Sequence, residues 1–178
     1  MHRTQKLAVT ALMASLALAL SILKVELPYP VLPYLKFDSA EIPVTLVYFM
    51  CGLSCGLLTE ALHFTGLVAR GADPLGALTK LLAVASMLAG ASAARKVSRA
   101  AALEFAGGAA LRVAVMTAMN WVYFTLLYPS LLDYAVRMAG GLLLLYAFTG
   151  LFNLLHAALS FATAWAVYVE VRKRVGQL

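Results

Sequence analysis

Hydrophobic positions run almost without interruption from Lys6 to Leu23, and five further apolar stretches follow, parted by short polar, proline-bearing or glycine-bearing breaks. Runs of this length and continuity predict membrane-spanning helices of about 20 residues, not the half-buried helices of a soluble domain. Helix 1 is expected over Lys6 to Leu23. Helix 2 begins near Ala40 or Pro43 and runs to Cys51. Helix 3 continues to Ala69 after a tight break at Gly52 and Gly56, and helix 4 spans Pro74 to Arg95. Helix 5 starts after Arg99 and reaches Tyr128, where Pro129 stops it. Ser130 to Gly141 reads as an irregular loop or a short amphipathic piece, and helix 6 covers Leu142 to Val169.

Between helices 1 and 2 lies Pro28-Tyr29-Pro30-Val31-Leu32-Pro33-Tyr34-Leu35-Lys36-Phe37-Asp38-Ser39-Ala40-Glu41. Three prolines in six residues cannot continue a helix, because each lacks a backbone donor and fixes φ. The segment is therefore a stiff, aromatic and charged loop at a membrane face. It serves either as a binding rim or as an ordinary connection with interfacial tyrosine anchors.

Composition strengthens the membrane reading. Of 178 residues, 63% are hydrophobic and only 12% charged, about half the charged share of a soluble domain. The expected architecture is a single all-α domain over residues 1–178 with six transmembrane helices. The net charge of +6 does not indicate nucleic acid, because the basic residues cluster at the ends of apolar segments. Eight of the fourteen lie in the N-terminus, the turn after helix 4 and the C-terminus, namely Arg3, Lys6, Arg95, Lys96, Arg99, Arg172, Lys173 and Arg174. Six spans put all three regions on one side, and the positive-inside rule makes that side the cytoplasm. The basic start and apolar first run have the outline of a signal peptide. Five more spans and the unsuitable Lys24-Val25-Glu26-Leu27-Pro28 make it a retained helix instead. Cys51 and Cys55, four apart, share a helical face as small buried hydrophobes.

This topology has chemical consequences. Lys80, Asn120, Asn153 and His156 fall in the outward halves of helices 4, 5 and 6, beneath the proline-rich loop, and an outward-facing ligand cleft accounts for all four. Lys80 either snorkels toward the helix start or points into that cleft. Glu60 and His63, three apart, share a face and contact each other most simply. Arg112 inside helix 5 requires a partner that the sequence does not identify. No Gly-x-x-x-x-Gly-Lys-[Ser/Thr] loop, His-Glu-x-x-His pattern or Gly-x-Ser-x-Gly elbow occurs. His2, His63 and His156 have no metal-ligand spacing. A membrane enzyme with a dispersed site is the weaker alternative. On helix 1, Ala11, Ser15 and Ala19 recur every four residues, a pattern that lets another helix approach closely.

Leu35-Lys36-Phe37-Asp38-Ser39-Ala40-Glu41-Ile42-Pro43, then Asn120-Trp121-Val122-Tyr123-Phe124 leading to Tyr128-Pro129, and Phe152-Asn153-Leu154-Leu155-His156 together resemble the substrate-binding S components of energy-coupling factor vitamin transporters. The subfamily they look most like is the riboflavin-specific one. The resemblance implies a multi-pass cell-membrane protein that captures a vitamin from outside. It also implies a transmembrane scaffold subunit and two cytoplasmic ATPase subunits as partners, with no catalysis by the chain itself. Ala11, Ser15 and Ala19 then correspond to the scaffold-docking face, with Ser15 in place of a usual alanine. Asn120 and Asn153 match two ligand-contacting asparagines. His156 stands where lysine is usual, and Lys80 and Phe64 stand where asparagine is more frequent. Asparagine offers donor and acceptor on one amide, as the pyrimidinedione edge of riboflavin requires, with Tyr34, Phe37, Trp121 and Tyr123 as apolar walls. No cofactor is implied, riboflavin being the transported ligand. Pantothenate, thiamine or a queuosine-like base would use similar contacts.

Overall fold

In a computed structural model, which describes residues 2–175, the chain forms α1 (Arg3–Ile22), β1 (Glu26–Pro28), β2 (Lys36–Asp38), α2 (Glu41–Cys51), α3 (Leu53–Ala69), α4 (Pro74–Val97), α5 (Ala101–Val122), α6 (Pro129–Ala139) and α7 (Leu142–Val175). Six of these helices correspond to the expected apolar runs. Four are long and apolar enough to cross a membrane: α1, α4, α5 with its extension to Leu127, and α7. The protein is thus an all-α multi-pass membrane protein.

Several expectations require correction. Helix 2 is not a full span: its 11 residues cover about 16 Å of a ~30 Å hydrocarbon core. Its first residue, Glu41, lies beside Arg112, eleven residues into α5, so α2 begins level with the middle of α5 and the loop before it descends into the bundle. That loop is not irregular throughout. β1 and β2 pair antiparallel, with Glu26 opposite Asp38 and Pro28 opposite Lys36, and Tyr29 N–H donates to Leu35 O at 2.8 Å. Prolines occupy the strand end and the connection, where no ladder donor is needed.

The far end of helix 5 is a π-turn, Tyr123–Leu127. Residues 129–139 are helical, with Pro129 in the first turn and Gly140 as a left-handed C-cap at φ 83°, the conformation glycine tolerates best. Helix 6 continues beyond Val169 through Arg172, Lys173 and Arg174. At the α2–α3 break Gly52 has φ 89°, which permits the abrupt change of direction.

Two apolar clusters set the frame. One joins α1, α2, α4, α5 and α7 around Val44, Tyr48, Met87, Leu88 and Phe161. The other seats the hairpin connection on α6 and α7 through Tyr29, Leu32, Phe124, Leu145 and Phe152. Leu32 is fully buried, so the connection is anchored rather than loose. Between α4 and α5 the backbones approach closely: a methyl at Gly90 would lie 2.3 Å from Gly107 O, and one at Gly108 2.8 Å from Met87 O.

Candidate binding cleft

A cavity of about 310 Å³ opens beneath the hairpin, lined by the hairpin, the start of α2 and α4, and the facing sides of α5 and α7. Its floor is an ionic cluster. Arg112 donates from Nη1 to Glu41 Oε2 at 2.6 Å and from Nη2 to Glu41 Oε1 at 2.9 Å, the bidentate geometry of a strong charge-assisted pair. Ser160 Oγ donates to Glu41 Oε2 at 3.0 Å, and Arg112 Nε donates to Asn153 Oδ1 at 3.3 Å. All four residues are buried. Glu41 also sits in the first turn of α2, where the helix dipole favours an anion.

Obligate donors face both nitrogens of the His156 ring: Arg112 Nη2 lies 3.1 Å from Nδ1 and the Asp38 N–H donates to Nε2 at 3.1 Å. A guanidinium and a backbone N–H can only donate, so the ring keeps an acceptor lone pair and cannot be a doubly protonated imidazolium. Asp38 O at 3.2 Å and Glu41 Oε1 at 3.4 Å also lie beside Nε2. His156 is therefore a neutral strut between the hairpin and the ionic floor.

Asp38 is the second hub. Its Oδ1 accepts the Ala40 N–H at 2.9 Å, and its Oδ2 pairs with Lys80 Nζ and lies 3.5 Å from Ser21 Oγ. Lys80 thus points into the cleft and ends on a carboxylate. Ser21 continues inward to His63 Nε2 at 3.0 Å, and His63 Nδ1 lies 3.3 Å from Glu60 Oε2. Glu60 and His63 meet each other away from the cavity, as their spacing suggests.

Of the residues singled out in the sequence, Tyr34, Lys80, Asn120, Tyr123, Asn153 and His156 line this one cavity. Phe37 lines a second cavity of about 430 Å³ on the other side of the hairpin and packs behind the first, with ring centroids 4.9 Å from Phe152 and 5.6 Å from His156. Trp121 is 53% exposed on the outside of α5 and forms no wall. Sequence reasoning missed Asp38, Glu41 and Arg112 as parts of the cleft. The signal was present in one respect, since Arg112 required an acid somewhere.

The amides differ in what they have left to offer. Asn153 already accepts from Arg112 and donates Nδ2–H to Thr149 O at 3.0 Å, leaving one donor and one acceptor site. Among the described residues Asn120 has no side-chain partner, so its whole amide is available. Burial, with a smaller contribution from Tyr134, pushes the Tyr34 phenol up to about 12, so at neutral pH it is an uncharged donor. Tyr123, Phe124, Phe152 and Met116 supply apolar walls. Neither Asp38 nor Glu41 is free to act as a base, because each is held by a cation. The cavity thus sets free amide groups and a phenol beside an apolar wall.

No family model matches the chain, and no curated protein matches it. Among solved structures it is similar to the S component of a bacterial ECF transporter, with a TM-score of 0.74 and 21% sequence identity over 98% of this chain and 99% of that one. The chain therefore has the S-component fold over essentially its full length.

Proposed function

We propose that this protein is the substrate-binding S component of an ATP-driven vitamin transporter of the cell membrane, and that it captures riboflavin. The observation that carries the reading is the cavity itself, within a fold shared end to end with an ECF S component. Its volume of about 310 Å³ lies at the small-molecule end of the usual range for ligand sites. The free Asn120 amide and the remaining donor and acceptor of Asn153 complement a pyrimidinedione edge, and the aromatic and Met116 walls suit the apolar end of an isoalloxazine. With the Lys/Arg-rich helix ends in the cytoplasm, the cleft opens outward.

Partners follow from the same reading. Ala11, Ser15 and Ala19 are exposed on α1, whereas Thr10, Ala14, Ala17 and Ser21 are buried on its inner side. Small residues on the membrane face allow a scaffold helix to approach. The scaffold in turn carries two cytoplasmic ATPases, which supply the phosphate chemistry that this chain's motifs do not.

The test is to co-express the tagged chain with a scaffold protein and paired ATPases, recover the complex, and analyse riboflavin by mass after incubation. Co-purification and unchanged riboflavin are expected. Turnover of the vitamin by the chain alone would overturn the reading in favour of a membrane enzyme.

A further inference from the structure

The charged groups around the cleft form a nearly closed set. Three cations line it, Lys36, Lys80 and Arg112, against four anions, Glu26, Asp38, Glu41 and Asp73. Each cation has its own carboxylate: Lys36 with Glu26, Lys80 with Asp38, and Arg112 with Glu41. His156 is neutral because its ring accepts from an obligate donor, and Tyr34 keeps its proton at neutral pH. Asp73 is left over at the rim. Among the described residues its side chain has no cation partner and accepts only the Gly76 N–H at 2.7 Å, which caps α4.

From this arrangement we propose that the cleft selects an uncharged ligand and turns away anionic relatives of it, with Asp73 as a specificity-determining residue. The inference rests on the S-component reading but does not depend on which uncharged vitamin is carried. An anionic group entering finds every cation already paired and must compete with Glu26, Asp38 or Glu41 for it. Displacing Asp38 or Glu41 strands a carboxylate in a desolvated position. An anionic group left at the mouth instead faces Asp73, a like charge. A cationic ligand fares little better inside, because Lys80 and Arg112 repel it and the inner carboxylates are already engaged. An uncharged molecule leaves all three pairs intact and uses only the free amides and hydroxyls.

The experiment is equilibrium binding to the purified full-length chain with riboflavin, riboflavin 5′-phosphate, nicotinamide and nicotinate, at low and high salt. A phosphate monoester adds about −1.5 to −2 charges at neutral pH. The expected result is that riboflavin binds and its phosphate binds at least about tenfold more weakly. The gap should narrow in high salt as the rim charge is screened. Asp73→Asn should narrow the ratio by about threefold, and since Asn caps a helix as well as Asp, α4 is retained. Riboflavin and its phosphate binding equally would overturn this inference while leaving the proposed function standing. Nicotinamide binding in preference to nicotinate, with riboflavin silent, would overturn the flavin reading and support the inference. Nicotinate binding as tightly as nicotinamide, with riboflavin silent, would overturn both, and silence from all four compounds would overturn the flavin reading.

Discussion

The Arg112 guanidinium grips the Glu41 carboxylate through two hydrogen bonds of 2.6 and 2.9 Å across 71 residues of sequence. That contact fixes the start of α2 against the middle of α5 and forms the floor of the cleft. Removing one partner of a buried pair leaves an uncompensated charge. Glu41→Gln is therefore expected to cost about 3 to 5 kcal/mol, read as a lowered unfolding midpoint in detergent. The double replacement Glu41→Gln with Arg112→Met should recover part of that loss, because no buried charge then remains.

The α4–α5 seam gives a second expectation. A methyl group at Gly90 would meet Gly107 O at 2.3 Å, a contact that backbone atoms cannot relieve by rotating. Gly90→Ala should push the helices apart and cost about 1 to 3 kcal/mol. Thermal unfolding checks it, and Gly71→Ala provides the comparison for a glycine whose added methyl would meet nothing within 4 Å but whose φ of 85° strains the backbone.

The two asparagines should behave differently. Asn120 has its amide free, so Asn120→Ala should lower ligand affinity by about 1 to 3 kcal/mol, roughly tenfold or more, with little change in stability. Asn153 holds Arg112 and Thr149 O, so Asn153→Ala should lower both affinity and the unfolding midpoint. Parallel titration and melting of the two variants separates these outcomes.

Much of this cleft was legible in the sequence, and the reason is physical. Lys80, Asn120, Asn153 and His156 are polar groups inside apolar helices, where only an interior use is affordable, and they converge on one cavity. Glu41 and Arg112 were visible as residues but not as a pair, because nothing local links positions 71 apart. Asp38 read as a charge on a rim, whereas the half-length α2 draws it inward to Lys80 and Ser21. The hairpin left no alternating signature, since each strand has three residues and β1 ends in proline. Residues 129–139 were ambiguous because a helix of 11 residues between proline and glycine resembles a loop in composition.

The Tyr34 phenol gives an expectation in pH. Its ordinary value of 10.0 rises to about 12 in the folded protein. Above pH 10 the unfolded chain therefore releases a proton that the folded chain keeps, and stability falls as pH rises from 10 toward 12. Tyr34→Phe should flatten that part of the stability profile, measured by chemical unfolding at a series of pH values.

Under the proposed function, a change on α1 should separate binding from coupling. Ser15 is exposed and its hydroxyl donates to Ala11 O at 3.0 Å, away from the cavity lining. Ser15→Trp should abolish association with a scaffold subunit, and uptake with it, while ligand affinity in detergent stays near that of the unaltered chain. Loss of ligand binding in Ser15→Trp would place the docking face elsewhere.

Under the proposed function the cleft holds one riboflavin. Protein purified from flavin-replete cells should carry a flavin absorbance equivalent to about one per chain, and the stripped protein should quench added riboflavin fluorescence with the same stoichiometry. Colourless protein that leaves riboflavin fluorescence unchanged would contradict it.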